Sequence, residues 1–268
     1  MIARSYLFVP GDRPDRFDKA LAAGADAVIV DLEDAVAPAA KAAARAAVGA
    51  WLSTEKPIVL RINADTTEWF ADDLRLARAP GVAGILLPKA ERIDGALQAI
   101  CAETGKFLLP LIETAVGFEQ ARALASAPGV ERLLFGTLDF QVDMGIDGEG
   151  DELAYFRSEM VLVSRLAGIQ PPVDGPSTAL DDIAQVAADT HRARRLGFGG
   201  KLCIHPRQVA PVNAAFAPSA DDLLWAKRVL AAAAESGGAA VALDGRMVDR
   251  PVILKAEQMV REAARRGT

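Results

Sequence analysis

Three segments set a charged side chain directly against an apolar run: VLRIN (59–63), LLPKA (86–90) and PLIET (110–114). A fourth run, RLLF (132–135), leads within four residues to Asp139. Glu113 and Asp139 are the pair with the clearest chemistry, because carboxylates at adjacent run ends can converge on one cation. Mg2+, or Mn2+, suits such a site, since it takes few protein carboxylates and completes its octahedron with water or substrate oxygens. The competing reading is local: Glu113 caps the following helix and Asp139 orders a turn. Arg61 could grip a substrate carboxylate with two parallel bonds, or form a structural ion pair with Asp31, Glu33 or Asp34. Lys89 could hold an anion, form a Schiff base or pair with Glu91.

Other chemistries are short of residues. The chain of 268 residues has two histidines, His191 and His205, and two cysteines, Cys101 and Cys203. That nearly excludes a multi-ligand zinc site and a disulfide framework. His205 precedes Pro206 at the end of an apolar run and could be a base, a donor to phosphate or a packed structural group. His191 reads as a helix-surface residue, and both cysteines read as core thiols. With 30 basic and 36 acidic residues the net charge is −6. The short stretches Arg192–Arg195 and Arg261–Arg266 read as solvated helix faces, so no nucleic-acid partner is expected. The chain opens directly into a strand-like run, and no apolar stretch approaches the roughly 18 residues of a membrane span. A cytoplasmic protein without membrane contact is expected.

The elements that must position these residues alternate regularly. Strands are predicted at Ser5–Val9, Ala27–Asp31, Ile58–Ile62, Gly84–Leu87, Phe107–Ile112, Arg132–Phe135, Pro171–Asp174 and Lys201–Ile204. Each precedes a predicted helix, near 14–23, 39–52, 67–78, 92–103, 118–125, 152–166 and 180–196 for the first seven. Alternating βα units imply parallel strands, and continuous apolar runs imply burial on both faces. Eight such units fit an α/β (β/α)8 barrel, with residues 1–218 as the catalytic domain. No GxGxxG follows the first strand, against a dinucleotide fold. Residues 219–268 form a C-terminal helical extension: helices near 221–234 and 251–265, separated by a break at Gly237-Gly238. In a barrel, chemistry gathers at the C-terminal strand ends, which is where Arg61, Lys89, Glu113 and Asp139 fall.

Six segments in register carry a resemblance: RSYLFVPGDRPDRF (4–17), DLEDAV (31–36), LRIN (60–63), LLPKAE (86–91), LIETAVG (111–117) and CIHPRQV (203–209). Together they resemble the citrate lyase β-subunit-like proteins of the HpcH/HpaI aldolase/citrate lyase family. The resemblance implies a Mg2+-dependent lyase on a modified TIM barrel, a homotrimer, acting on malyl-, citramalyl- or citryl-type thioesters of CoA or a carrier protein. It implies Glu113 and Asp139 as metal ligands and Arg61 as the residue facing a substrate carboxylate. Glu33 and Asp34 match acidic residues that hold metal-bound water. GRMVDRP (245–251) resembles a stretch whose aspartate, here Asp249, enters a neighbouring subunit's site as acid/base. The segment Lys201–His205 would lie toward the thioester carrier. One position departs: relatives usually carry Glu-Asp where this chain has Leu138-Asp139. The outcomes to separate are retro-Claisen cleavage, thioester hydrolysis, aldol cleavage of a free hydroxy acid, and a binding subunit without catalysis.

Overall fold

A computed structural model describes residues 3–235 and 239–266. They fall into two compact units, divided between Asn213 and Ala214. The first is a closed barrel of eight parallel strands in sequential order. The strands are β1 (Ser5–Pro10), β2 (Ala27–Asp31), β3 (Ile58–Arg61), β4 (Val82–Leu87), β5 (Phe107–Ile112), β6 (Leu134–Phe135), β7 (Val173–Asp174) and β8 (Gly200–Cys203). Strand β1 pairs with both β2 and β8, which closes the ring. The helices are α1 (Phe17–Leu21), α2 (Lys41–Trp51), α3 (Phe70–Ala77), α4 (Gly95–Thr104), α5 (Ala115–Glu119), α6 (Ala121–Ala125), α7 (Thr137–Met144), α8 (Ala154–Leu166), α9 (Ile183–Leu196) and α10 (Val209–Phe216).

The interior is filled by Tyr6, Ile29, Val59, Leu86, Leu109, Leu111, Leu134, Val173 and Leu202, drawn from every strand. Residues alternate across a strand, so their neighbours face the helices. Lys201 and Asp174 are such neighbours: Lys201 Nζ meets Asp174 at 3.2 Å and Arg157 Nε of α8 meets it at 2.9 Å, all buried. Burial opposes the Asp174 charge, but Lys201 and Arg157 hold its carboxyl below the usual range. Position 84 must be glycine for a packing reason. A Cβ there would lie 2.0 Å from the Phe107 ring of the adjoining strand.

The N-terminal end of the barrel is sealed by Arg132, which is fully buried. Its Nε donates to Pro171 O at 2.8 Å, Nη1 to Ala3 O at 2.8 Å and Nη2 to Pro172 O at 3.3 Å. The guanidinium also lies 5.6 Å from the Tyr6 ring centre. Gly199 and Gly200 leave room for it: an added Cβ would sit 2.9 Å and 3.4 Å from its Nη2.

Several sequence expectations change. The sixth strand starts at Leu134 rather than Arg132, because the arginine turns to the loop carbonyls. The first and second helical stretches open as 3-10 turns at Pro14 and Pro38, and the third helix starts at Phe70 rather than Thr67. Helix α7 replaces the loop expected around Asp139.

The second unit holds α11 (Ala220–Glu235), the strands β9 (Val241–Leu243) and β10 (Arg246–Val248), and α12 (Arg250–Arg266). The helices were expected and the antiparallel hairpin was not. Its turn, Asp244-Gly245, has positive φ at both residues, +50° and +72°, which is the backbone that a two-residue hairpin of Asp-Gly type adopts. Ala226, Val229, Val248, Ile253 and Ala256 form this unit's own core. The expected Gly237-Gly238 break lies outside the described residues.

Candidate active site

At the C-terminal strand ends of the barrel lies a cavity of about 320 Å3. Asp31, Asp34, Arg61, Glu113 and Asp139 line one part of it, and Phe8, Leu111, Leu138, Pro176, Leu202 and Ile204 line much of the rest.

The second strand and its loop anchor the charged part. Asp31 ends β2, and its carboxylate accepts Arg61 Nε at 2.6 Å and Nη2 at 2.5 Å. The same carboxylate accepts the backbone N–H of Glu33 at 2.8 Å and of Ala35 at 3.2 Å, which folds DLEDAV into a tight loop. Lys41 of α2 holds this loop from below, donating to the carbonyls of Leu32 (2.8 Å) and Glu33 (2.9 Å). Arg61 Nη1 reaches Glu33 Oε2 at 3.0 Å, and the Phe8 ring centre lies 4.9 Å from its Cζ. The guanidinium therefore spends its Nε–Nη2 fork on Asp31, while Nη1 keeps an ion-pair contact with Glu33. Burial works against its charge, but those two acids keep it firmly protonated.

Lys89 pairs with Glu33 and, at 3.3 Å, with Asp34. The expected pairing with Glu91 does not form; Glu91 instead accepts from Thr114 Oγ1 at 2.9 Å. Distance along the chain misled here, since Lys89 crosses the barrel mouth toward the β2 loop. Its backbone is left-handed, φ +46°, a conformation a non-glycine residue adopts only when its surroundings impose it. That conformation aims its N–H at Glu113 Oε1, 2.6 Å away.

Glu113, directly after β5, is buried. The expectation that it caps the next helix is corrected: Thr114 caps α5, accepting Gly117 N–H at 3.0 Å. Gly136 leaves the room that Glu113 occupies. A Cβ on Gly136 would lie 2.6 Å from both its Cβ and its Oε2. Burial, with Glu33 and Asp139 nearby, pushes its carboxyl up to about 8 against the Lys89 N–H and ammonium. Glu33 is raised too, by burial first, while Arg61 and Lys89 pull it back. Burial also opposes ionisation of Asp34, but Lys89 and Arg61 hold its carboxyl below the usual range. Asp139 lies in the first turn of α7 and is exposed, rather than in an isolated turn.

The arrangement is short of positive charge. Among the described residues Asp31, Glu33, Asp34, Glu113 and Asp139 are met by Arg61 and Lys89, both paired with the β2 acids, and by Lys41 beneath the β2 loop. Among the described residues no cation forms an ion pair with Glu113 or Asp139, and the two open on the same cavity, a donor set of hard oxygens that fits a divalent cation. Among the described residues no group of three or more His, Cys, Asp or Glu is arranged to enclose a metal. Two carboxylates alone would leave coordination positions for water and substrate oxygens.

The remaining sequence candidates lie elsewhere. His205 caps the 3-10 turn Pro206–Gln208 through Nδ1, which accepts Arg207 N–H at 3.2 Å. His191 is exposed on α9. Cys101 and Cys203 are buried free thiols, and burial pushes Cys203 up to about 12. Asp249 lies in the second unit, between β10 and α12, where its carbonyl accepts Ile253 N–H at 3.0 Å. Sequence reading missed Lys41 and Gly136 as positioning residues. Lys41 sits in an alanine-rich helix that gives no hint of its target, and the crowding at Gly136 exists only in three dimensions.

The profile of the HpcH/HpaI aldolase/citrate lyase family matches residues 4–206. A citrate lyase subunit beta-like protein of Deinococcus radiodurans is 36% identical, over 98% of this chain and 98% of that protein. A (3S)-malyl-CoA thioesterase of Cereibacter sphaeroides is 34% identical, over 97% of this chain and 94% of its own length. The crystal structure of CitE from Mycobacterium tuberculosis in complex with magnesium, acetoacetate and coenzyme A superimposes with a TM-score of 0.85 at 36% identity, covering 97% of this chain and 98% of that one.

Proposed function

The chain belongs to the HpcH/HpaI aldolase/citrate lyase family, and from that premise we propose that it is a Mg2+-dependent carbon–carbon lyase. Its substrate is a 3-hydroxy-acyl thioester of malyl, citramalyl or citryl type, carried on CoA, and the products are acetyl-CoA and an oxo acid. The observation that carries this reading is the pair Glu113 and Asp139, two carboxylates lining one cavity with no ion-pair partner among the described residues.

Those two residues would hold the metal. When bound, Mg2+ supplies Lewis-acid stabilisation of negative charge on the hydroxyl and carboxylate oxygens of the acid half. The reaction is a retro-Claisen cleavage: the hydroxyl gives its proton to Asp249 acting as base, the C2–C3 bond breaks, and its electron pair moves into the thioester enolate. Arg61 contributes a fixed positive charge beside the cavity, oriented in advance by Asp31 and Glu33. Lys89 adds a second charge, held by Glu33 and Asp34, and its N–H orients Glu113. Asp249, supplied by a neighbouring copy in a homotrimer, delivers the proton to the enolate carbon. Residues 1–218 serve as the catalytic domain and 219–268 as the extension that brings Asp249.

Thioester hydrolysis at the same site is the second reading, favoured by the similarity to a malyl-CoA thioesterase. Product analysis separates the two. Purified protein with Mg2+ and malyl- or citramalyl-CoA should release acetyl-CoA and an oxo acid in equal amounts. Release of free CoA alone would replace the lyase reading by the hydrolytic one. Wild-type rates in both Glu113→Ala and Asp139→Ala would remove the metal assignment.

No helix among the described residues is long and apolar enough to cross a membrane.

A further inference from the structure

Asp139 depends on its helix for its place. Its side chain is exposed in the first turn of α7, and among the described residues no group donates a hydrogen bond to it. Helix α7 is held by four contacts. Gly136 N–H, just before the helix, donates to Ile112 O at 2.9 Å, beside Glu113. Gly175, in the loop after β7, lies against Thr137; a Cβ on the glycine would come 2.0 Å from Thr137 Oγ1. Gln141 Nε2 donates to Gly148 O at 2.9 Å, and Asp143 accepts Ala115 N–H at 2.7 Å, two residues after Glu113. Two of these four contacts lead back to one buried carboxylate. We propose that Asp174 is a positioning residue for the metal site: through Lys201 and Arg157 it fixes the segments on which α7 rests, and so sets the spacing of Asp139 from Glu113. This role deepens the lyase reading and rests on Glu113 and Asp139 as its metal ligands.

The links run through buried groups. Asp174 ends β7 and lies outside the cavity wall. Lys201 Nζ, which meets Asp174, also donates to Gly175 O at 2.6 Å and so fixes the glycine that abuts Thr137. Arg157 gives its Nε to Asp174 and its Nη1 to Glu149 O at 2.8 Å, which fixes the segment that receives Gln141. Asp174, Lys201 and Arg157 are all buried. Desolvation offsets the attraction between such charges, so they are a poor source of stability, whereas their full pairing holds one geometry. A divalent site needs that geometry. Mg2+ takes ligands at about 2.0–2.1 Å in a near-ideal octahedron, so a small displacement of Asp139 costs affinity. Groups that orient a metal ligand without touching the metal typically contribute about ten- to a hundredfold.

The test measures metal binding rather than turnover. Mn2+ is the probe, and electron paramagnetic resonance of the free ion gives its affinity in titrations of the full chain. Asp139→Ala should abolish the site. Asp174→Asn keeps the shape of the side chain and removes its charge, and the folded protein should bind Mn2+ about tenfold more weakly. Gly175→Ala, which pushes a methyl onto Thr137, should weaken binding to a similar degree. Adding Thr137→Ala to it should bring the affinity back to within about threefold of wild type. Arg132→Met, a buried charge removed at the other end of the barrel, should stay within about twofold. Three results overturn the positioning role and leave the metal reading standing: unchanged affinity in Asp174→Asn, an equal loss in Arg132→Met, or a loss in Gly175→Ala that Thr137→Ala does not relieve. Should Asp174→Asn not fold, the Gly175 and Thr137 variants decide alone. Wild type that binds no Mn2+, or that binds it equally after Asp139→Ala, overturns both.

Discussion

At the two ends of the barrel an ionisable side chain is buried, and the surroundings differ. At the N-terminal end Arg132 donates to the carbonyls of Ala3, Pro171 and Pro172, whose dipoles are fixed by the backbone. At the C-terminal end Glu113 has one backbone donor, the Lys89 N–H, and burial first, then the carboxylates nearby, raise its pKa. The first charge is satisfied by the fold alone. The second is left in want of a cation, and a further strain accompanies it, the left-handed backbone of Lys89. The difference separates a seal from a site. One end converts buried charge into stability, while the other gives up stability to hold carboxylates in a state that a ligand relieves.

The largest test of this contrast is Glu113→Gln. It should lower Mg2+-dependent cleavage about a thousandfold or more while making the cation-free protein more resistant to urea. Lower resistance to urea would place Glu113 on the structural side with Arg132. Next comes Arg132→Met, which strands three carbonyls at the sealed end. It should cost about 3 kcal/mol of unfolding free energy and leave kcat/KM of the folded fraction within about twofold. A large fall in kcat/KM at unchanged stability would dissolve the division between the ends. Gly84→Ala tests packing in the barrel interior: the methyl meets the Phe107 ring, costs about 2 kcal/mol, and is relieved by Phe107→Leu. Denaturant midpoints of the single and double variants check it, and additive losses would exclude the clash.

The last test is of pH dependence, where the effect is smallest within any single pH unit. Unfolded, Glu113 releases its proton near its ordinary value of 4.5, and folded it retains the proton to about 8. Between those values the folded state binds more protons than the unfolded one. Stability of the cation-free protein therefore falls as pH rises through that window, by up to about 1.4 kcal/mol per pH unit from this group, and levels off above it. Urea titrations of wild type against Glu113→Gln isolate the contribution. Parallel curves for the two proteins would show that Glu113 is ordinary in its ionisation.

The barrel was legible because a strand buried on both faces is written as an unbroken apolar run. Ala27–Asp31 and Phe107–Ile112 correspond to the structure residue for residue. Where the strand shortens to two residues, as in β6, the run extends beyond the paired segment, and Arg132 was assigned to the wrong element. Helix α7 was missed because a loop was expected after the sixth strand, so Asp139 was expected in a turn rather than a helix. The placement of Arg61, Lys89 and Glu113 at strand ends was readable from charge set against apolar residues. Their partners were not. Whether Lys89 meets Glu33 or Glu91 depends on which loop lies across the mouth, and the conformation that aims its N–H at Glu113 leaves no mark on residue type. The hairpin of the second unit did leave a mark: Asp244-Gly245 between short apolar segments is a turn signal.

Ring closure has a consequence in time. Ser5 pairs with Lys201, so the first barrel strand waits for the eighth before its second edge is filled. Arg132 repeats the dependence, since its seal needs Ala3 from the start of the chain and Pro171 and Pro172 from much later. During synthesis β1 and β2 can pair, but one edge of β1 stays open until about two hundred residues have followed. Contacts so far apart close slowly, and an open apolar strand invites a wrong neighbour meanwhile. For this chain the vulnerable interval is the one before β8 arrives, and a nascent chain halted short of Gly200 would be the form most dependent on protection from aggregation.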